Sequence, residues 1–450
     1  MGLSTELKIA IIDYLDPENI QNQSSDQDNN RDEAGSGNAP QELKKITDIL
    51  NVSRVCNVFR ALATPILCKN ILLQNTEKSG KSVQALVDGP YGNYVRQIHH
   101  RAKLGIPDPY DSRDPKNQKP NEKHFPESVR TVLSNLTRVP NLGKLIVEFP
   151  YTEEELCDAF YTFEDEEEEE QVALSEEDQA WRALMAHTYD AIGQNGIHAP
   201  KALELRGLVP VEVSTWRSQG FRSFLASVES FSLSVVGSDN GAGWKSNTLD
   251  GYLGFLRSMH SFFFDYLSEV RHFSFTASDA GPPGLEGWRH TPLNLYKHQM
   301  PHLKSLYLNH VFISEQLAEF IGSHDSTLES IHLDNCFSGA GCGLAENGIT
   351  WAAFFSILNR TDLSALKRIQ VTPREPLFSP DYSDFTDEDT TRIKQLMEAD
   401  PARLFFCYKT LDDKYGMLFD GVETAVERFD NGEDQKSYER LLNFVKRNEA

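Results

Sequence analysis

The sequence predicts an α/β chain in which a short helical unit precedes an irregular series of strand-plus-helix repeats. The first sign is an apolar frame with spacing i, i+3, i+5. It recurs at Val228/Phe231/Leu233, Val270/Phe273/Phe275, Leu303/Leu306/Leu308, Leu328/Ile331/Leu333 and Leu366/Ile369/Val371, with weaker copies at Val95/Ile98/His100 and Leu142/Leu145/Val147. On an extended chain the last two positions of each frame share one face. The second sign is what lies between the frames: "TLDGYLGFLRSMHSFFFDYL", "SEQLAEFIGS" and "WAAFFSIL" have helical apolar spacing, so strand and helix alternate. The third is "DILNVSRVCNVFRALATPILCKNI", where Ile49, Leu50, Val52, Val55, Val58, Phe59, Leu62, Ile66 and Leu67 form a broad helical stripe.

In chain order, "LSTELKIAIIDYLD" predicts a helix with Ser4 as N-cap and Leu7, Ile11, Ile12 and Leu15 on its apolar face. The polar stretch at about 17–45 buries too little apolar surface to offset ordering and reads as a disordered insertion. The stripe follows, and Pro65 is expected to stop its helix at Thr64. A short helix and turn is expected around Gln84–Val95, then the strand "YVRQIHH", a loop at 106–124, the helix "PESVRTVLSNLTRV" and the strand "LGKLIVEF". The acidic stretch at about 161–178 reads as a solvated insertion kept extended by self-repulsion. It leads into the helix "QAWRALMAHTYDAIG" and the strand "LELRGL". The final portion, 401–450, reads as two short strands around a polar turn and two amphipathic helices, suited to cap the last repeat. The expected division is therefore a helical unit over 1–75, repeats over 76–400 and a cap over 401–450.

A chain of 450 residues is too long for one compact core unless the fold is elongated or repetitive. Its formal net charge of −23 argues against nucleic acid or an anionic membrane as partner. The six cysteines, at 56, 68, 157, 336, 342 and 407, form no C-x-x-C and read as reduced thiols. The start lacks a basic n-region, Glu6 stands where a myristoylation signal wants Ser or Thr, and no apolar run reaches membrane-spanning length. The expectation is a soluble protein of cytoplasm, nucleus or both.

No cofactor, metal site or catalytic constellation is legible. "NTEKSGKS" ends like a phosphate loop, but Asn75 stands where the first Gly is needed, and it reads as a surface turn without a flanking strand or helix. His99 and His100 are adjacent and point to opposite faces of a strand. Neither H-E-x-x-H nor G-x-S-x-G occurs.

The N-terminal unit resembles an F-box. The matching residues are Leu3, Glu6, Leu7, Tyr14, Leu15, Asp48, Leu50, Val55, Cys56, Phe59, Leu62, Ala63, Pro65 and Leu67. Ser4 replaces the usual Pro, and the insertion at 17–45 is far longer than the family's few-residue link. A floppy link of that length costs only about 1–2 kcal/mol in closure entropy. The repeats look like an irregular leucine-rich-repeat solenoid, and Cys336 falls where such repeats favour Asn or Cys.

The resemblance implies a non-catalytic substrate receptor of a ubiquitin ligase. Its F-box would dock an SKP-type adaptor, and through it a cullin–RING ligase, by Leu3, Leu7, Ile11, Leu15, Leu50, Val55, Phe59, Leu62 and Pro65. The repeats would bind an unidentified substrate protein. Residues between the frame positions would face the inner surface of the solenoid. That selects Tyr307, Asn309, His332, Asp334, Arg368 and Gln370 as candidate substrate contacts, with Ser274, Ser305 and Ser330 beside them. A repeat scaffold outside any ligase is the alternative.

Overall fold

The computed structural model describes residues 47–104, 125–151, 155, 157, 160, 168–341, 345–373 and 386–448. Leu3, Leu7, Ile11 and Leu15, the insertion at 17–45 and the acidic residues 161–167 lie outside the described residues.

The apolar stripe divides into two helical pieces. Residues 47–53 are helical and end in a turn, with the Arg54 and Val55 N–H groups bonded to Asn51 and Val52 carbonyls. Cys56 is extended and precedes α1, Asn57–Leu67. Ile49, Phe59 and Ala63 are buried in a cluster with Val52, Cys56, Leu62, Ile66 and Leu67, separate from the main core. Pro65 does not stop the helix, contrary to expectation: it sits inside α1, close to its end. Near a C-terminus a proline forfeits one intrahelical bond, and the Cys68 N–H closes the last turn on Thr64 O at 2.9 Å.

The next elements are β1 (Asn70–Gln74), α2 (Glu77–Asp88), β2 (Gln97–Arg101), α3 (Glu127–Leu133), β3 (Lys144–Glu148), α4 (Glu169–Asp178), α5 (Ala180–Gly193) and β4 (Ala202–Leu208). Then follow α6 (Gln219–Leu225), β5 (Ser230–Val235), α7 (Asp250–Phe262), β6 (His272–Thr276), β7 (Ser305–Asn309), α8 (Glu315–Gly322), β8 (Ser330–Asp334), α9 (Trp351–Arg360) and β9 (Arg368–Thr372). The nine strands form one all-parallel sheet in sequence order, each beside its predecessor. Parallel neighbours need crossover connections, which helices supply between every pair except β6 and β7, where residues 277–304 cross without one.

The apolar frames set the register. Ile98, Leu145, Leu203, Phe231, Phe273, Leu306, Ile331 and Ile369 stand side by side across β2 to β9. All are buried, and they belong to one core with the apolar faces of the helices. Trp216 lies at its centre, with ring centroids 5.0–5.9 Å from Tyr189, Phe255, Phe262 and Phe263. The chain is thus mixed α/β, with helices packed on one face of a large parallel sheet.

His100 occupies a frame position and is fully buried. Its Nδ1 lies 3.2 Å from Leu73 O, and burial pushes its pKa down to about 4. An unfolded histidine titrates near 6.5, so between those values the unfolded chain binds more protons and stability falls as pH falls. Burial of His100 is expected to remove on the order of 3 kcal/mol across that window. His100→Gln should flatten the pH dependence of the urea midpoint between pH 6.5 and 4; an unchanged slope would show that His100 does not carry it.

Several elements differ from expectation. Asn70–Gln74, assigned to the helical unit, is the first strand of the sheet. "NTEKSGKS" is flanked by that strand and runs into α2, whose N-cap is Thr76. Gly80 packs inside the helix against Ser128, and Lys81 pairs with Glu77 at 3.1 Å, so the glycine makes no phosphate-binding turn. The end of the acidic stretch is not extended: Glu169–Asp178 is helical, because Val172 is buried and Glu176 binds Ser214 N and Oγ, both at 2.7 Å. Glu169 and Glu170 also suit the positive end of that helix.

After β9 come α10 (Asp387–Ala399), the antiparallel pair β10 (Lys409–Leu411) and β11 (Leu418–Asp420), α11 (Val422–Asn431) and α12 (Glu433–Asn448). The polar sequence gave no sign of α10, whose only fully buried apolar residue is Ile393. α12 packs on α9, and Tyr438 donates to Ile369 O (3.3 Å) while Asn448 donates to Leu363 O and Leu366 O.

Candidate functional site

The face of the sheet opposite the helices carries the residues between the frame positions. Because the strands are in register, these residues form transverse rows. The middle row reads Leu72, His99, Ile146, Glu204, Ser232, Ser274, Tyr307, His332 and Gln370. All six candidate substrate contacts lie on this open face, on the adjacent strands β7, β8 and β9.

At that end the side chains hold one another. Tyr307 donates to Asp334 Oδ2 at 2.6 Å, and Asn309 Nδ2 donates to the same oxygen at 2.8 Å. Burial and then the Asp334 carboxylate raise the Tyr307 phenol to about 12, so it stays a donor. His332 sits edge-on to Tyr307 with centroids 5.1 Å apart, and its Nε2 lies 2.9 Å from Thr372 Oγ1. Burial lowers the His332 pKa, which favours the neutral ring. Arg368 donates to Gln370 Oε1 at 2.8 Å.

The other end, across β2 to β4, holds an ion network absent from the sequence-derived site. Glu148 pairs with His99 (2.6 Å), Arg101 (3.2 Å) and Arg206 (3.8 Å), and Glu204 pairs with Lys144 (2.6 Å) and Arg206 (2.7 Å). Burial raises Glu204, but hydrogen bonds from Lys144 and Arg206 outweigh it and lower its pKa. The i, i+2 alternation that selected Tyr307 and His332 would have found these residues in "RQIHHR", "KLIVE" and "LELR". His99 and His100 do point to opposite faces.

Between the two ends the face is lined by small hydroxyl side chains: Ser230, Ser232 and Ser234 on β5, Ser274 and Thr276 on β6, and Ser305 and Ser330 beyond. The result is a polar stretch flanked on either side by charged and aromatic side chains. It offers hydrogen bonds along its length, which suits recognition of a polar surface or an extended segment.

The helical pair has its own small core, separate from that of the sheet. Val55 is 71 % exposed, Leu50 40 % and Val58 42 %, while Leu62 and Pro65 are half-buried. Phe59, assigned to the adaptor, is instead buried in the local cluster, because the bend at residues 54–56 folds it against Ile49.

Among the described residues no His, Cys, Asp and Glu side chains converge in a group of three fit to hold a metal ion, and no helix is long and apolar enough to cross a membrane. No family model, curated protein or solved structure matches the chain.

Proposed function

We propose that the chain is the substrate-recognition subunit of an SKP–cullin–F-box type ubiquitin ligase. Its helical pair docks the SKP adaptor, and its repeats, an irregular leucine-rich solenoid, bind the substrate protein along the open face. One observation carries the docking half: the small cluster around Phe59 stands apart from the main core and leaves Leu50, Val55 and Val58 uncovered. Apolar side chains concentrated on so small a unit mark an interaction surface.

The solenoid reading is supported by β7 and β8. Their paired residues are 25 positions apart, within the range of a leucine-rich unit. The same offset relates His310 to Asn335, both with positive φ, and pairs Phe312–Ile313 with Phe337–Ser338. Cys336 donates its thiol to Leu308 O of the preceding unit (3.4 Å), an interaction between successive repeats at the position where Asn or Cys is favoured.

The reading is tested by calorimetric titration of the purified chain with an SKP adaptor. Micromolar binding is expected, and Leu50→Ala with Val55→Ala should weaken it at least about tenfold, since interface anchors typically cost ~2 kcal/mol each. Absence of binding by the unsubstituted chain would sink the ligase reading. The burial of Phe59 favours a second reading, an interaction scaffold that uses the open face without joining a ligase.

A further inference from the structure

A second charged surface lies along the edge of the sheet where the strands begin. The residues just before β1 to β9 form a continuous column, because the main-chain carbonyl of each accepts from the residue before, or the first residue of, the next strand. Lys69, Arg96, Lys201, Arg271, Lys304 and Lys367 stand in this column against Glu229 and Glu329, with Gly143 the remaining member. The excess of bases is conspicuous in a chain of net charge −23.

Both acids of the column are already engaged. Glu229 pairs with Lys201 at 3.3 Å, and Glu329 is gripped by Lys304 at 2.8 Å and Lys367 at 2.7 Å. Arg271 is exposed and makes no side-chain hydrogen bond or ion pair among the described residues. Arg271, Lys304 and Lys367 line an open cleft of about 470 Å³ with His302, Glu269 and Glu329, and Ser326, Thr327 and Ser364 add hydroxyl donors.

We propose that this cleft docks a short acidic peptide segment of a partner protein, whose carboxylates take Arg271 and compete with Glu329 for the two lysines. Charge and range both favour such a segment. At physiological salt the Debye length is ~8 Å, so a short segment in the cleft senses the basic column and little of the acidic surface beyond it. A long polyanion such as duplex DNA extends past the column and meets that surface along its length. The site is distinct from the open face and does not depend on the ligase reading.

The test is fluorescence anisotropy with the full chain and a labelled peptide of alternating Glu and Gly, its Gln counterpart, and a DNA duplex of equal charge. The Glu peptide should bind saturably, weaken as salt rises, and outbind both controls. Arg271→Glu with Lys367→Glu should weaken it about tenfold or more. Glu329→Gln, which frees both lysines, should tighten it. Tyr307→Ala with His332→Ala, on the open face, should leave it unchanged. Circular dichroism melts establish that each variant is folded. The proposal is overturned if the Glu peptide does not bind, if the duplex binds as tightly, if the open-face variant weakens binding as much as the rim variant, or if Glu329→Gln fails to tighten it.

Discussion

Trp216→Ala is expected to be among the most damaging single substitutions in the chain, costing about 3–5 kcal/mol. The indole is fully buried and touches rings from three directions: Tyr189 on α5, Phe255 and Phe262 on α7, and Phe263 just beyond it. Truncation removes the transfer energy of a large side chain and leaves a cavity that rigid aromatic neighbours cannot close. The indole Nε1 has no hydrogen-bond partner among the described residues, so the effect is one of packing. Trp216→Phe should recover much of the loss. Urea denaturation followed by circular dichroism measures both, and a loss under about 1 kcal/mol for the alanine variant would show that the site collapses freely.

Asp434→Ala is expected to cost about 4 kcal/mol by removing one acceptor at the N-terminus of α9 together with the acceptor of the Tyr408 hydroxyl. The first N–H groups of that helix are satisfied in turn: Trp351 by Tyr408 Oη (3.4 Å), Ala352 by Asp434 Oδ1 (2.7 Å) and Ala353 by Thr350 Oγ1 (3.1 Å). Asp434 also accepts from the buried Tyr408 hydroxyl at 2.7 Å. Its removal leaves the half-buried Ala352 N–H and the buried Tyr408 hydroxyl without this acceptor. Burial raises the Asp434 pKa above its ordinary value, ahead of the hydrogen bonds and the nearby Arg428 that lower it. A raised folded pKa means that the folded chain holds the proton longer, so the carboxyl's contribution is greatest at low pH and declines as pH rises through the folded value. Asp434→Asn should cost less than the alanine variant and lose that pH dependence. Equal losses in the two variants would mean that the acceptor oxygen is unimportant.

The frames around Leu306, Ile331 and Ile369 were readable because buried parallel strands impose one strict requirement, an apolar residue at alternate positions, and the sequence meets it repeatedly. That same alternation put Tyr307, His332 and Gln370 on one face without any three-dimensional information. Other features escaped for definite reasons. β1 has one fully buried side chain, Leu73, so "NILLQ" carries almost no pattern. The bend at residues 54–56 interrupts a stripe whose spacing continues undisturbed on both sides. α10 is held by few apolar contacts, so periodicity has little to report. The ion network from His99 to Arg206 comes from three strands separated by long connections, and neither its pairing nor the basic column could be seen before the register was known.

The sequential strand order has a mechanical consequence. Each of the nine strands bonds only to its neighbours in the sequence, but the C-terminal hairpin reaches back to the middle of the chain: the Lys245 N–H donates to Tyr415 O at 2.9 Å and Trp244 meets the Tyr415 ring edge-on at 5.4 Å, so tension on the termini loads β1 to β5 in series and bypasses the later strands until that contact gives way. The two ends are unequal. β9 and α9 lie beneath α12 and the Asp434 contacts, whereas β1 is a described strand with one partner and an exposed Leu72. Pulled in an optical trap, such a molecule should unravel in steps of unequal length, starting from β1, with step sizes set by the irregular connections between strands. Insertions in those connections would lengthen a step without changing the force at which it gives way, which is why a sheet of this order tolerates connections of such different lengths.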